Sequence, residues 1–367
     1  IEELNFADHE TNYQLKPVGT INNPFNGIID GKGINIRVNL SNSSDYQALF
    51  GYVSTLGKVR NLSVSGNINA KNYVAGIAAI NDGLIENVYN NATITGNTNV
   101  AGIVGSNNGI IRNVYNKGKV TGNSYVAGLV SYLNGTLANT YNTGVVYGKE
   151  FVGMLVGFYN KGEFINSYYD STLLNAYRST NTYNKPTGAV GTSYNGNNVK
   201  GLDHRFMIGQ NVLGTNTNQM NFTNANNSWT TNYNLNELNE NYPQLKVFAL
   251  DGRLNVQKLS KESTYNKFYE VSFDEANDIN NSVTQYVIPN EHYKLYVPTY
   301  FGYNFVGWYI IQDDKETKVT NENGESLNPF EYNDDINLVA KWEEAYHQVQ
   351  FIDGNNKVIH EEEIRHG

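Results

Sequence analysis

The acidic residues best suited to chemistry in the first half of this chain are Asp30, Asp45, Asp82, Glu150, Glu163 and Asp170. Glycoside hydrolysis needs two carboxyl groups facing each other about 5 to 9.5 Å apart, and these six share no spacing that would align a pair. The histidines, His9, His204, His292, His347, His360 and His366, include no H-x-x-x-H or H-E-x-x-H arrangement for zinc, and His360 and His366 read as solvated. "IIDGKG" at 28–33 and "FIDGNN" at 351–356 have a passing likeness to calcium loops, but no alternating oxygen ligands follow. Glycine turns account for both. The protein has no cysteine, which excludes thiolate metal sites and a disulfide framework. The expectation is a protein that is not an enzyme, with no catalytic, metal or cofactor-binding residues and no cofactor. These residues leave its ligand unnamed.

Composition narrows the partners. At 367 residues, with 13% aromatic side chains and 28 Tyr, the protein is able to bury the cores of two or three domains. A net charge of −9 without any basic run argues against nucleic acid, which demands clustered Lys and Arg. The longest apolar runs, "VAGIAAI" and "FVGMLVGFY", fall far short of the roughly 20 residues that span a bilayer, so no membrane insertion is expected.

The elements that would position any site come from a repeat. Gly57, Gly83, Gly109 and Gly135 recur every 26 residues, and Gly162 follows after 27. Asn61, Asn87, Asn113, Asn139 and Asn166 keep step, as do Tyr89, Tyr115, Tyr141 and Tyr168. So do Ile68, Ile94, Val120 and Val146, and Gly76, Gly102, Gly128 and Gly153. Each period holds three short alternating apolar stretches separated by turn formers, for example "IIRNVY", "GKVTG" and "YVAGLV". Three strands per period, stacked in register, predict an all-β protein whose main body is a parallel β-helix rising about 4.8 Å per coil. Glycines are expected at its tight corners.

The columns have expected roles. Arg60, Glu86, Arg112 and Ala138 fall in one column, so the charges should pair across coils at about 0.2 to 1 kcal/mol each. The Asn61 column should form an amide ladder at a corner. The tyrosines share strand parity with the Ile before them and are expected to be packed rather than displayed to carbohydrate.

"NGIIRNVYNKGKVTGNSYVAGLV" resembles the GLUG repeat of bacterial surface and secreted proteins. "NPFNGIIDGKGINIRVNL" at 23–40 is similar to the opening of such β-helices. "TNTNQM" at 215–220, Trp229 and "NYPQL" at 241–245 are similar to their closing segment. The resemblance covers about residues 12–247 and implies a right-handed helix and a noncatalytic role in adhesins, proteases or carbohydrate-associated proteins. The boundaries read as an N-terminal opening and cap over 1–50, coils over 51–170 and a C-terminal cap over 171–250. Both caps are expected to cover open ends of the stack.

A polar stretch, 251–267, reads as a linker. Beyond it, Pro298, Gly302, Tyr303, Phe305, Gly307, Trp308 and Tyr309, then Val339, Ala340, Lys341 and Trp342, form a pattern that resembles the Listeria-Bacteroides or internalin B-repeat. That likeness covers 268–343 and implies a small β-grasp module; both tryptophans read as core. "YHQVQFIDGNNKVIHEEEIRHG" predicts a hairpin. It is similar to "YEVSFDEANDINNSVTQYVIPN", so 344–367 reads as the start of a second module and the whole as a piece of something longer. Together these resemblances imply a noncatalytic fragment of a bacterial cell-surface, adhesin-like protein, extracellular, monomeric, binding a host glycan or protein or acting as a spacer. The alternative is the noncatalytic region of a secreted protease or polysaccharide-active enzyme.

Overall fold

The computed structural model describes residues 3–5, 16–208, 212–222, 228–231, 242–249, 269–276, 284–313 and 315–366. Strands make up 56% of the described residues and helices 4%. The chain divides into two compact units, residues 1–175 with 179–266, and residues 267–367 with 176–178.

The first unit is a β-solenoid of about 5 turns, with about 26 residues per turn. Its longest face stacks Ile28–Ser41, Lys58–Asn69, Leu84–Thr95, Ile110–Asn116, Thr136–Asn142 and Glu163–Asp170 in parallel. The second face stacks Asn72–Ala75, Thr98–Ala101, Ser124–Ala127 and Glu150–Gly153, and the third runs from Phe50–Val53 to Val156–Tyr159. From Lys58–Asn69 to Thr136–Asn142 equivalent residues pair without slippage, as in Ile111 with Ile85 and Leu137, while Ile28–Ser41 joins Lys58–Asn69 with a register shift between Asp30 and Ile34. A one-residue slip would turn every inward side chain outward. The bore is accordingly apolar: Val59, Ile85, Ile111, Leu137 and Phe164 line one wall, and Val74, Val100, Val126 and Val152 another.

Two amide ladders share that interior. Asn90 donates from Nδ2 to Asn116 Oδ1 at 2.8 Å, and Asn116 to Asn142 at 2.8 Å. Each also closes a local turn, as Asn90 does by accepting from the Ala92 N–H at 3.0 Å. Buried amides thus satisfy one another and the backbone, which removes the cost of their desolvation. Asn81 and Asn107 repeat the device.

The glycine columns follow from close approach. A Cβ on Gly109 would lie 2.2 Å from the Gly83 carbonyl oxygen of the coil before, and one on Gly135 would lie 2.1 Å from that of Gly109. Neither glycine has a positive φ. Gly83, Gly109 and Gly135 do stand at bends between strands, as expected, but the cause is this close approach and not a left-handed backbone; the left-handed positions belong to the Asn61 column within the long strands, with φ between 48° and 59°. One register also changes. Gly153 pairs with Ala127, so Met154, not Gly153, stands in the column of Gly76, Gly102 and Gly128. A Cβ at Gly102 would strike the Asn116 side chain at 2.4 Å, and the glycine column stops where the Asn ladder stops, at Tyr169 in place of an asparagine.

The C-terminal segment divides between the end and the flank. Val190 bridges Val156, and Val199–Leu202 pairs with Ser167–Asp170, which lays one more partial turn on the stack. Beyond that, Met207, Met220, Phe222, Trp229, Tyr242 and Phe248 pack along the flank against Tyr89, Tyr115, Tyr141 and Tyr168. Those tyrosines are buried, but outside the bore. The left-handed Asn between each Ile and Tyr breaks the strand alternation and turns the Tyr outward.

The second unit holds a mixed five-stranded sheet. Its strands in sequence order are Tyr269–Asp274, Thr284–Val287, Tyr303–Gln312, Lys315–Lys318 and Ile336–Glu344, with spatial order 2-1-5-3-4. The first and last are parallel at its centre, as a β-grasp sheet requires; the crossover 288–302 carries no helix. Trp308 is fully buried and donates from Nε1 to the Tyr296 carbonyl at 2.9 Å, while Trp342 donates to that of Glu275 at 2.8 Å.

Candidate functional site

The acids do not converge. Asp30 accepts from Asn61 Nδ2 at 2.9 Å and lies 3.1 Å from the Arg60 guanidinium. Burial opposes ionisation there, but the Asn61 amide, the Lys32 N–H and Arg60 together hold the carboxyl below the usual range. Arg60 also reaches Glu86 at 4.0 Å and Arg112 reaches it at 2.6 Å, so the charge column pairs across coils as expected, with Asp30 as its further member.

Asp30, Asp45 and Asp82 share a role that spacing did not reveal. In the Asn61 column each Nδ2 donates toward the preceding coil, from Asn166 to Asn139, Asn113, Asn87, Asn61 and finally Asp30. Asn123, Asn97 and Asn72 run the same way to Asp45. Asn160, Asn134 and Asn108 run to Asp82. A carboxylate only accepts, so it suits the foot of a series of donating amides and sets the direction of the whole ladder.

Asp170 is fully buried and lies 2.7 Å from His204 Nδ1 and 2.5 Å from the Tyr242 hydroxyl, while it accepts from the Leu173 N–H at 2.8 Å. These residues are far apart in sequence, so no local motif could have joined them. They fasten the flank segment to the last coil. His347 and His366 approach each other to 2.5 Å, and His292 lies 3.1 Å from Ser326 Oγ. Among the described residues no group of three or more His, Asp or Glu is placed to hold a metal ion. A shallow cleft of about 300 Å³ in the module is lined by Tyr293, Lys318, Pro329, Glu331 and Tyr332 without a convergent pair.

The arrangement most like a binding surface went unnoticed in the sequence. At the second position of each second-face strand stand Tyr73, Asn99, Tyr125 and Phe151, preceded by Tyr46 beside the Gln47–Val74 bridge, all left-handed, with φ between 52° and 58°. Asparagine takes this conformation readily, whereas aromatic residues are strained in it by about 1 kcal/mol or more. The rings lie over small residues: Tyr46 and Tyr73 pack on Ala48, Ala75 and Ala79. Tyr46 stacks on Tyr73 at 4.8 Å, and Tyr125 on Phe151 at 4.9 Å. Tyr132 and Phe158 of the third face stack beside them at 5.1 Å. Burial, with Tyr46, Asp45 and Tyr132 nearby, pushes the Tyr73 hydroxyl above its ordinary value. The result is a stripe of partly exposed ring edges and hydroxyls along the solenoid. The sequence signal was a column of Tyr73, Asn99 and Tyr125 immediately before the recurrent "VAG", continued by Phe151 before "VGM" and by Tyr46 before "QAL".

Compared with protein-family models, curated proteins and solved structures, the chain matches none.

Proposed function

We propose that this protein is a noncatalytic binding scaffold of a bacterial cell-surface, adhesin-like protein, acting outside the cell. The observation that carries the reading is the partly exposed aromatic column held in the left-handed conformation along the second face. Ring stacking contributes about 0.5 to 1.5 kcal/mol per pair, which does little more than offset the backbone strain, so stability alone does not favour tyrosine there over asparagine. The resemblance of the coils to GLUG repeats and of residues 298–342 to the internalin B-repeat supports the surface setting.

The stripe suits a protein partner better than a sugar. Stacking on a sugar uses a ring face, and each ring of the column has one face taken up by its stacked neighbour, whereas tyrosine edges and hydroxyls serve protein contacts well. The test is Tyr125→Asn with Phe151→Asn, which would extend the Asn99 amide column. Binding to immobilised host extracellular proteins and to a glycan array is measured beside thermal stability. Loss of protein binding with stability held within about 1 kcal/mol is expected. A large loss of stability, or binding unchanged, would make the stripe structural.

A further inference from the structure

The aromatic column of the second face is broken at one coil. Tyr46 stacks on Tyr73 at 4.8 Å and Tyr125 on Phe151 at 4.9 Å, and the coil between the two pairs carries Asn99. The residue packed against each member changes with it. A Cβ on Gly105 would lie 3.4 Å from Tyr73 Cα, one on Gly157 2.9 Å from the Tyr125 carbonyl carbon, and one on Gly191 2.4 Å from that of Phe151. Against Asn99 stands Ser131, fully buried, its Oγ 3.2 Å from Asn99 Oδ1 and 2.6 Å from the Tyr125 carbonyl oxygen. Glycine accompanies the rings, and a serine hydroxyl accompanies the amide.

The break leaves two ring faces without a stacked neighbour. Tyr46 covers one face of Tyr73 and Phe151 one face of Tyr125, so the opposite faces both look into the coil of Asn99. Asn99 is 8% exposed and both tyrosines are partly exposed, which makes the amide the floor of the break and the rings its walls. Two coil steps separate the walls, roughly 9.6 Å at about 4.8 Å per step. A ring midway meets each wall at the spacing that the column already uses. The floor offers one amide, its Oδ1 engaged by Ser131. Pyranose hydroxyls turned toward it would stay unsatisfied, whereas an aromatic ring presents carbon there and gains two stacked faces.

We propose that the break takes one aromatic side chain of a protein partner, inserted over Asn99 between the rings of Tyr73 and Tyr125. This rests on the stripe being a binding surface. In the full 367-residue protein, the ring signals of Tyr73 and Tyr125, assigned through Tyr73→Phe and Tyr125→Phe, are followed by NMR during addition of N-acetyltryptophanamide, N-acetylleucinamide or methyl β-glucopyranoside. Both signals should shift together and saturate with the tryptophan amide, at a dissociation constant on the order of 1 to 10 mM for so small a ligand, and should not respond to the other two.

Asn99→Tyr with Ser131→Gly completes the column and should weaken that binding by about tenfold or more with the circular dichroism unchanged. Tyr73→Leu, which removes one wall, should weaken it likewise. The absence of a saturable response, an equal response to the leucine amide, tighter binding of the glucoside, or a response that survives in the completed column would overturn the proposal. The stripe itself is tested by Tyr125→Asn with Phe151→Asn against host proteins. If that pair abolishes protein binding and the completed column does not, the stripe binds without taking a ring into the break, and this proposal alone falls.

Discussion

Lys117 is the residue whose environment departs furthest from its ordinary chemistry. It is buried at the corner after Asn116, its ammonium 5.7 Å from the centre of the Tyr89 ring, and burial pushes its pKa down to about 7. The unfolded state would hold that proton up to about 10.5. Between these values the unfolded state binds more protons than the folded one, so stability should rise with pH across the window; below about 7 the cost is fully present. Lys117→Met keeps the apolar stem without the charge. It should stabilise the solenoid on the order of 2 kcal/mol at pH 6 and hardly at all at pH 10.5, as read by denaturant unfolding at both pH values. An equal effect at both would show that the ammonium is solvated.

At the scale of the element, the coil is the unit, because each amide ladder and apolar column is satisfied by the coil before and the coil after. Removing residues 109–134, 26 in number by the repeat spacing, brings Gly135 after Asn108 and sets Asn139 on Asn87 and Leu137 on Ile85. The shortened protein should stay soluble and rich in β-structure, although the anchorage of Ser228 and Trp229 to Asn113 is lost. Removing one residue fewer should unfold the stack, because every later side chain then meets the wrong face. Circular dichroism and solubility of the two variants decide the matter, and equal tolerance would mean that the register is not what holds the coils. Much of this was legible beforehand, because the 26-residue spacing shows itself without any contact being known. The glycine at each join was legible as a position and misread as to cause: the constraint is a carbonyl in another coil, which no local pattern displays.

At the scale of the molecule, the two units have separate cores, one centred on the solenoid bore and the Tyr89 column, the other on Trp308. Trp308→Ala leaves a cavity beneath Phe273, Phe305 and Tyr296, its ring neighbours at 4.6 to 5.4 Å, and should cost about 3 to 5 kcal/mol. For a domain of this size that is most of the available stability. Calorimetry should then show the module's transition lost and the solenoid's unmoved. A shift of both together would mean that the units unfold as one.

By itself the sequence determined the coil length, the register, the charge pairing and the Asn61 ladder, because each is carried by residues that recur at one period and meet their own copies. Tertiary structure decided what the copies meet besides one another. The tyrosines were readable as packed, but only Met207, Met220, Phe222, Trp229, Tyr242 and Phe248 along the flank cover them. Asp170, His204 and Tyr242 come together through reversals of the backbone with no periodic signal. The partly exposed Tyr73 and Tyr125 differ from the buried Tyr115 and Tyr141 in their left-handed backbone and in the surface that the fold leaves uncovered, neither of which the residue type displays. Periodicity encodes contacts between equivalent residues, and contacts between non-equivalent ones require the path of the backbone in space.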